Sequence, residues 1–225
     1  MYTVILPAAG IGSRMGLGYN KLFHKIARRT IIEHTAAVFL NDIKCSQIII
    51  TANEDDLLKM HTLFEFHPRV EIIEGGETRQ ASVFNALKHV DKEIVLIHDG
   101  ARPFVTQKMI DDCYDIAEQG FGALVAMSPK DTIKQRHSSK VDVVNRTIPR
   151  DELVFAQTPQ AFPTDVLKKA YQLAHNAFIV ATDDASLVEN HTEIDVKIVE
   201  GDYKNIKFTT PEDIAYFEFL IKKGR

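Results

Sequence analysis

Short apolar runs and amphipathic stretches take turns along most of this chain. Residues 3–6, 47–51, 70–73, 94–97 and 123–126 are largely apolar, with no polar alternation. Runs of that kind predict strands buried on both faces. Between them, residues 30–40, 54–66, 79–90 and 108–119 place apolar side chains at helical spacing. Thr30 is positioned to cap the first of these helices. Strand and helix in alternation predict an α/β fold, a parallel sheet covered on both faces.

The alternation breaks after residue 130. Residues 132–136 and 141–148 are alternating segments around a polar turn, His137-Ser138-Ser139-Lys140, and together read as a β-hairpin. The hairpin has too few apolar residues to bury itself, and an isolated hairpin is marginal in water. Packing it against a second copy of the chain resolves this, so 131–150 is expected to be a projecting arm of a C2 dimer. The competing reading folds the hairpin back on its own sheet. Residues 157–163 read as a turn leading into a helix over 164–175, and 182–189 as a short helix capped by Thr182 or Asp183. Strands are expected over 194–199 and 205–208. Thr210-Pro211-Glu212-Asp213 has the hydroxyl, proline and acid of a helix start.

Composition narrows the class without changing this outline. The 225 residues are 45% hydrophobic and 26% charged, as expected for a soluble globular protein of one domain or a domain with an appendage. A formal net charge of -4 argues against broad nucleic-acid or membrane-surface binding. No apolar run approaches the roughly 18 residues of a membrane span. No secretory signal is visible, so a cytoplasmic location is expected. Cys45 and Cys113 read as buried reduced thiols.

The chemistry starts at the first strand's end, Pro7-Ala8-Ala9-Gly10-Ile11-Gly12-Ser13-Arg14-Met15-Gly16, running on to Lys21. Small residues let backbone N–H groups approach a ligand, and glycines can turn them inward around an anion. Arg14 and Lys21 add positive charge. A dinucleotide fingerprint is excluded because its third glycine would fall at Met15. A P-loop is excluded because no Gly-Lys-Ser/Thr run exists. Ligands on such sheets sit beyond the carboxyl ends of the strands. Two further segments should therefore converge on this loop: Gly75-Gly76-Glu77-Thr78-Arg79-Gln80-Ala81-Ser82 and His98-Asp99-Gly100-Ala101-Arg102-Pro103. Together they hold what a nucleoside triphosphate pocket needs: backbone donors, cations, and a carboxylate for Mg²⁺. Arg79 reads either as part of this site or as a solvated first-turn residue. His98 reads as structural, since one His-Asp pair lacks the further ligands of a metal site. Asp183 and Asp184 read as helix-capping acids.

These segments, with Asp131-Thr132-Ile133-Lys134, Gln157-Thr158-Pro159-Gln160, Thr182-Asp183-Asp184-Ala185-Ser186 and Asn205-Ile206-Lys207, occur in order over nearly the whole chain. In this the sequence resembles the 2-C-methyl-D-erythritol 4-phosphate cytidylyltransferase family of the nucleotidyltransferase superfamily. The resemblance implies one Rossmann-like nucleotidyltransferase domain over 1–225 with a dimerising arm. It also implies a Mg²⁺-dependent reaction of CTP with methylerythritol phosphate that releases pyrophosphate. Arg14 and Lys21 would stabilise charge at the α-phosphate, and Arg150 and Lys207 would orient the substrate phosphate. Pro7, Ala8, Ala9, Gly10, Gly12, Gly76, Ser82 and Gly100 would hold the nucleotide. Asp99 would be the Mg²⁺ ligand or a ribose-side carboxylate, with Arg102 beside it. Thr132 and Arg150, on the arm, would bind substrate in the partner's site. No general base is implied or needed, because a phosphate monoester with a second pKa near ~6 is mostly ionised at neutral pH.

Some positions depart from the family's usual pattern. Asn20 precedes Lys21 where proline is common, which is expected to loosen the loop while leaving the cation. Gly100 replaces a common alanine, and Asp151-Glu152-Leu153-Val154 lacks the tryptophan that often follows the leucine. The rival readings are a ribitol 5-phosphate cytidylyltransferase, a nicotinamide-dependent oxidoreductase, and an inactive nucleotide-binding protein. The Thr182–Ser186 and Ala101-Arg102-Pro103 segments, the missing third glycine, and the intact set of cations argue against them in turn.

Overall fold

The computed structural model describes residues 1–10 and 18–223. Gly12 and Arg14 lie outside the described residues. The elements are β1 (Tyr2–Pro7), β2 (Lys25–Ile26), β3 (Arg29–Thr30), α1 (Ile31–Leu40), β4 (Cys45–Ala52), α2 (Leu57–Phe64), β5 (Val70–Glu74), α3 (Arg79–Leu87) and β6 (Ile94–Ile97). They continue with α4 (Gln107–Glu118), β7 (Gly122–Met127), β8 (Ile133–Arg136), β9 (Val144–Ile148), β10 (Phe155–Pro163), α5 (Thr164–Asn176), α6 (Asp184–His191), β11 (Val196–Glu200) and α7 (Asp213–Lys222).

Among the described residues the main sheet has seven strands in the order β11-β7-β10-β6-β1-β4-β5. β5, β4, β1 and β6 pair in parallel, as do β7 and β11. β10 runs antiparallel between β6 and β7. Successive strand residues feed opposite faces, which is why the strands lack polar alternation. Val4, Leu6, Ile48, Ile50 and Leu96 pack with α1, α2, α4 and α7, while Ile5, Ile49, Val95 and Ile97 pack with α3, α5 and α6. Both cysteines are free and buried. No described helix is long and apolar enough to cross a membrane.

Local chemistry explains the helix starts. Thr30 and Glu33 form a reciprocal capping box on α1, and Thr78, Thr106 and Asp183 cap α3, α4 and α6. The expected start of the last helix differs. Its N-cap is Glu212, and the Asp213 carboxylate takes the backbone N–H groups of Thr209 and Thr210, in place of a Thr210 hydroxyl cap.

Two expectations about strands are corrected. Residues 157–163 form the inner part of strand β10, not a turn. Residues 205–208 form no strand; one backbone bond, Phe208 N–H to the Ala101 carbonyl at 2.8 Å, fastens them beside the loop after β6. The hairpin is present as β8 and β9, with Ile133 opposite Ile148, and its two strands form a sheet separate from the main one. Val141 and Asp142 belong to its turn, Asp142 with a left-handed φ of 57°.

Candidate active site

At the carboxyl end of β1, β5 and β6 lies a cleft of about 330 Å³. It gathers Pro7, Ala8, Ala9, Gly10, Lys21, Gly76, Ser82, Asp99, Gly100 and Lys207, all named from sequence, with Glu77, Thr78, Arg79 and Ala101 from the segments expected to converge, and adds Leu22. The close fit of its two glycine-bearing walls is steric. A Cβ on Gly75 would stand 2.6 Å from Ala9 Cβ and 2.9 Å from Ser82 Oγ, and one on Gly76 would stand 2.5 Å from Ala81 Cβ. Ser82 Oγ accepts the Gly76 N–H at 3.0 Å, which pins this wall to the first turn of α3.

Lys21 opens a short 3-10 turn, Lys21–Phe23, capped by Asn20. Asn20 is buried and tightens this corner, contrary to the loosening expected where proline is common. Its Nδ2 donates to the Ala8 carbonyl and to Asp56 Oδ2, both at 2.9 Å, and its Oδ1 accepts the Leu22 N–H at 3.1 Å. Its φ of −61° is one that proline also adopts, so the side-chain bonds supply by contact what a ring supplies by stiffness.

Asp99 sits at the cleft floor, 7% exposed, among three cations. Its Oδ2 lies 2.9 Å from Lys207 Nζ and 3.3 Å from Arg102 Nε, and its Oδ1 lies 3.4 Å from Arg79 Nε. Burial alone would push this carboxyl up; Lys207, Arg79 and Arg102 outweigh burial and hold it well below the usual carboxylate range. Arg102 is turned away from the cleft wall, its Nη1 donating to the Asn205 carbonyl at 2.6 Å. Sequence reasoning left Arg79 undecided between a site and a solvated surface. Its Nη2 lies 2.7 Å from Oδ2 of Asp184, whose carboxylate is completely buried and also accepts from Tyr171 OH at 2.5 Å. Asp183 caps α6, as expected, but Asp184, expected to cap as well, does not, because its carboxylate is taken by Arg79 and Tyr171.

The loop holding Asp99 is braced from β10. The Asp99 N–H donates to Thr158 Oγ1 at 3.0 Å, and Thr158 faces His98 Nδ1 at 3.1 Å. His98 Nε2 lies 2.9 Å from the Arg102 carbonyl and must carry the proton there, so Nδ1 accepts from Thr158. The histidine is structural, as expected. Burial pushes its imidazole down to about 4, although the Arg102 carbonyl and the Asp99 charge favour the protonated ring. The unfolded chain therefore takes up this proton first as pH falls. Stability from the neutral ring is complete above the ordinary value of 6.5 and declines as pH drops towards 4. Urea denaturation is expected to show about 2 kcal/mol of this loss between pH 7 and pH 5. His98→Asn should be less stable throughout but flatter over that interval; equal slopes would remove His98 as the cause.

Thr132 and Arg150 are not in this cleft. Both are exposed, and Arg150 donates to the Lys130 carbonyl at 2.9 Å and lines a separate depression at the foot of the hairpin. Among the described residues no group of three or more His, Cys, Asp or Glu is placed to hold a metal ion. Asp99 and Glu77 are the carboxylates among the described lining residues. That donor set fits a Mg²⁺ held mainly by nucleotide phosphates and water, and does not fit an all-protein cage.

A cleft of small residues and cations at the strand ends of a Rossmann-like sheet defines an α/β nucleotide-handling protein. The family model for 2-C-methyl-D-erythritol 4-phosphate cytidylyltransferase matches residues 2–223. Enzymes of that name from Bacillus velezensis and Bacillus anthracis are 44% and 45% identical, each match covering 98% of this chain and 96% and 98% of the relative. Among solved structures, a 4-diphosphocytidyl-2C-methyl-D-erythritol synthase of Anaerococcus prevotii superposes with a TM-score of 0.87 at 29% identity, covering 99% of this chain and 98% of that one. The cytidylyltransferase of Francisella tularensis gives 0.80 at 31% identity, covering 97% and 98%. The chain belongs to the 2-C-methyl-D-erythritol 4-phosphate cytidylyltransferase family.

Proposed function

We propose that this protein transfers the cytidylyl group of CTP to 2-C-methyl-D-erythritol 4-phosphate. An oxygen of the substrate phosphate attacks the α-phosphorus of CTP, the bond to the β-phosphate breaks, and pyrophosphate leaves. The products are pyrophosphate and 4-diphosphocytidyl-2-C-methyl-D-erythritol. The observation that carries this reading is the cleft itself, where the loop of small residues, Lys21, Lys207 and Asp99 meet, in a chain of this family.

The nucleophile arrives ionised, so no side chain has to remove a proton. Catalysis then rests on holding two polyanions in line and stabilising the charge that develops at the α-phosphate. Ala8, Ala9, Gly10, Gly12, Gly76 and Ser82 hold the nucleotide, Pro7 and Gly100 border it, and Arg14 and Lys21 face the triphosphate. Lys207 orients the acceptor phosphate. Asp99 would hold Mg²⁺ together with phosphate oxygens, and the ion when bound supplies neutralising charge. Purified protein given CTP, Mg²⁺ and methylerythritol phosphate should release pyrophosphate. Turnover confined to ribitol 5-phosphate would overturn the choice of acceptor.

We further infer that the chain works as one nucleotidyltransferase domain whose arm, residues 131–150, joins two copies. Thr132 and Arg150 would then serve the partner's cleft. Supporting this, the arm exposes Val141, Val143 and Val144 at 88%, 43% and 57%, and Val154 and Phe155 are exposed just beyond it. Exposed apolar side chains on a two-stranded ladder need a partner surface. The paired change Val143→Glu and Val144→Glu is expected to give a monomer by sedimentation, with turnover reduced about tenfold or more and melting little changed. A fully active monomer would remove the arm from the site.

A further inference from the structure

We propose that Asp184 and Tyr171 are positioning residues for cytidylyl transfer: through Arg79 they fix the Asp99 carboxylate at the cleft floor. This rests on the reaction proposed above. A carboxylate at a helix start is ordinarily explained by capping, but Asp183 already caps α6, its Oδ1 accepting the Ser186 N–H at 3.0 Å. Asp184 is instead completely buried, its carboxylate meeting Tyr171 of α5. Nothing about stability calls for a carboxylate in such a place, where an apolar side chain would pack as well.

Its partners give it a purpose. Tyr171 OH donates to Oδ1 at 2.5 Å, and Arg79 Nη2 donates to Oδ2 at 2.7 Å. Burial and the neighbouring Asp184 charge push the Tyr171 hydroxyl well above its ordinary value, so it remains a neutral donor. Arg79 then meets the cleft with the neighbouring nitrogen of the same guanidinium edge, Nε at 3.4 Å from Asp99 Oδ1. The guanidinium is a rigid planar fork, so anchoring Nη2 on a buried carboxylate sets the direction of Nε beside it.

The start of α6 is fastened so that this anchor holds. Gln80, beside Arg79, donates to the Ile179 carbonyl and accepts the Ala181 N–H, both at 2.9 Å. From β10, Gln160 donates to Asp183 Oδ2 at 2.9 Å and accepts the Ala185 N–H at 2.8 Å. The segment that delivers Asp184 is thereby tied both to α3 and to the central sheet. Asp184 and Tyr171 do not line the cleft, yet they bear on it through a single side chain.

The test compares wild type, Asp184→Asn, Tyr171→Phe and the double variant, each with kcat, KM for CTP and a melting curve. Asp184→Asn is expected to lower kcat about tenfold with KM for CTP changed less than about threefold, since a displaced orienting group costs turnover before binding. Tyr171→Phe keeps the ion pair and is expected to lower kcat about threefold. The double variant should be no slower than Asp184→Asn alone, because both changes act through Arg79. Loss of activity only in proportion to unfolded protein, or additive losses, would make the pair merely structural and overturn the proposal. If Asp184→Asn does not fold, Tyr171→Phe decides alone: an unchanged kcat overturns the relay. A wild type without pyrophosphate release would overturn the reaction instead, which separates the two failures.

Discussion

Lys207→Ala should lower kcat/KM about 10³-fold, the scale seen when one preorganised charge at a transition state is lost. Lys207 Nζ lies 2.9 Å from Asp99 in the cleft, with its side chain 36% exposed. In the proposed reaction it meets the acceptor phosphate, and the other cations among the described lining residues are Lys21 and Arg79. Stability should change by less than about 1 kcal/mol, because the pair is partly solvated and Asp99 keeps Arg79 and Arg102. Steady-state pyrophosphate release, with a melting curve to confirm folding, measures both effects. Lys207→Arg should recover part of the rate, since it restores charge but spreads it over a planar fork. A kcat/KM for Lys207→Ala within threefold of wild type would take Lys207 out of the reaction.

Asp99→Asn is expected to damage the fold as well as the chemistry. In the native protein one carboxylate balances Lys207, Arg79 and Arg102. With an amide in its place those cations face one another across a nearly dry floor. Breaking a buried pair from one side costs about 3–5 kcal/mol, and partial exposure of Arg79 and Lys207 puts this case near ~3 kcal/mol. In a chain of this size that is a fall of roughly 6–12 °C in melting temperature. Turnover should fall at least as far as in Lys207→Ala. The pH dependence has a definite sign. The folded carboxyl is held below its ordinary 3.8, so its contribution is complete above that value and fades as pH falls further. Wild type and Asp99→Asn should therefore differ most near neutrality and converge in acid. Added salt should narrow the gap by screening the exposed cations. Equal melting of the two proteins at neutral pH would show that the cations are not held by Asp99.

The parts of this molecule legible in its sequence are those set by local pattern. Apolar runs announce β1, β4, β6 and β7, and the rule that ligands sit beyond strand ends collects most of the cleft lining from the sequence alone. β10 was not legible because its interior reads Gln157-Thr158-Pro159-Gln160, polar residues and a proline that suggest a turn. They are buried because each polar side chain is spoken for: Gln157 by Asp202, Thr158 by the His98–Asp99 loop, and Gln160 by the start of α6. Arg79 was undecided for a related reason. Its anchor, Asp184, is 105 residues away in the chain, beyond any local window. The available hint was a pair of adjacent acids at one helix start, where a single cap suffices.

The position of β10 also bears on the order in which the molecule can be built. β6 and β7 are made first but do not pair with each other, and the strand that joins them ends only at Pro163. A nascent chain emerging from the ribosome can assemble β1, β4, β5 and β6 as one half-sheet, yet must leave that half's inner edge open until β10 arrives. β10 is the same strand that brings Thr158 and Gln160 to the supports of Asp99 and α6. Completing the sheet and bracing the floor of the cleft therefore depend on the same late strand.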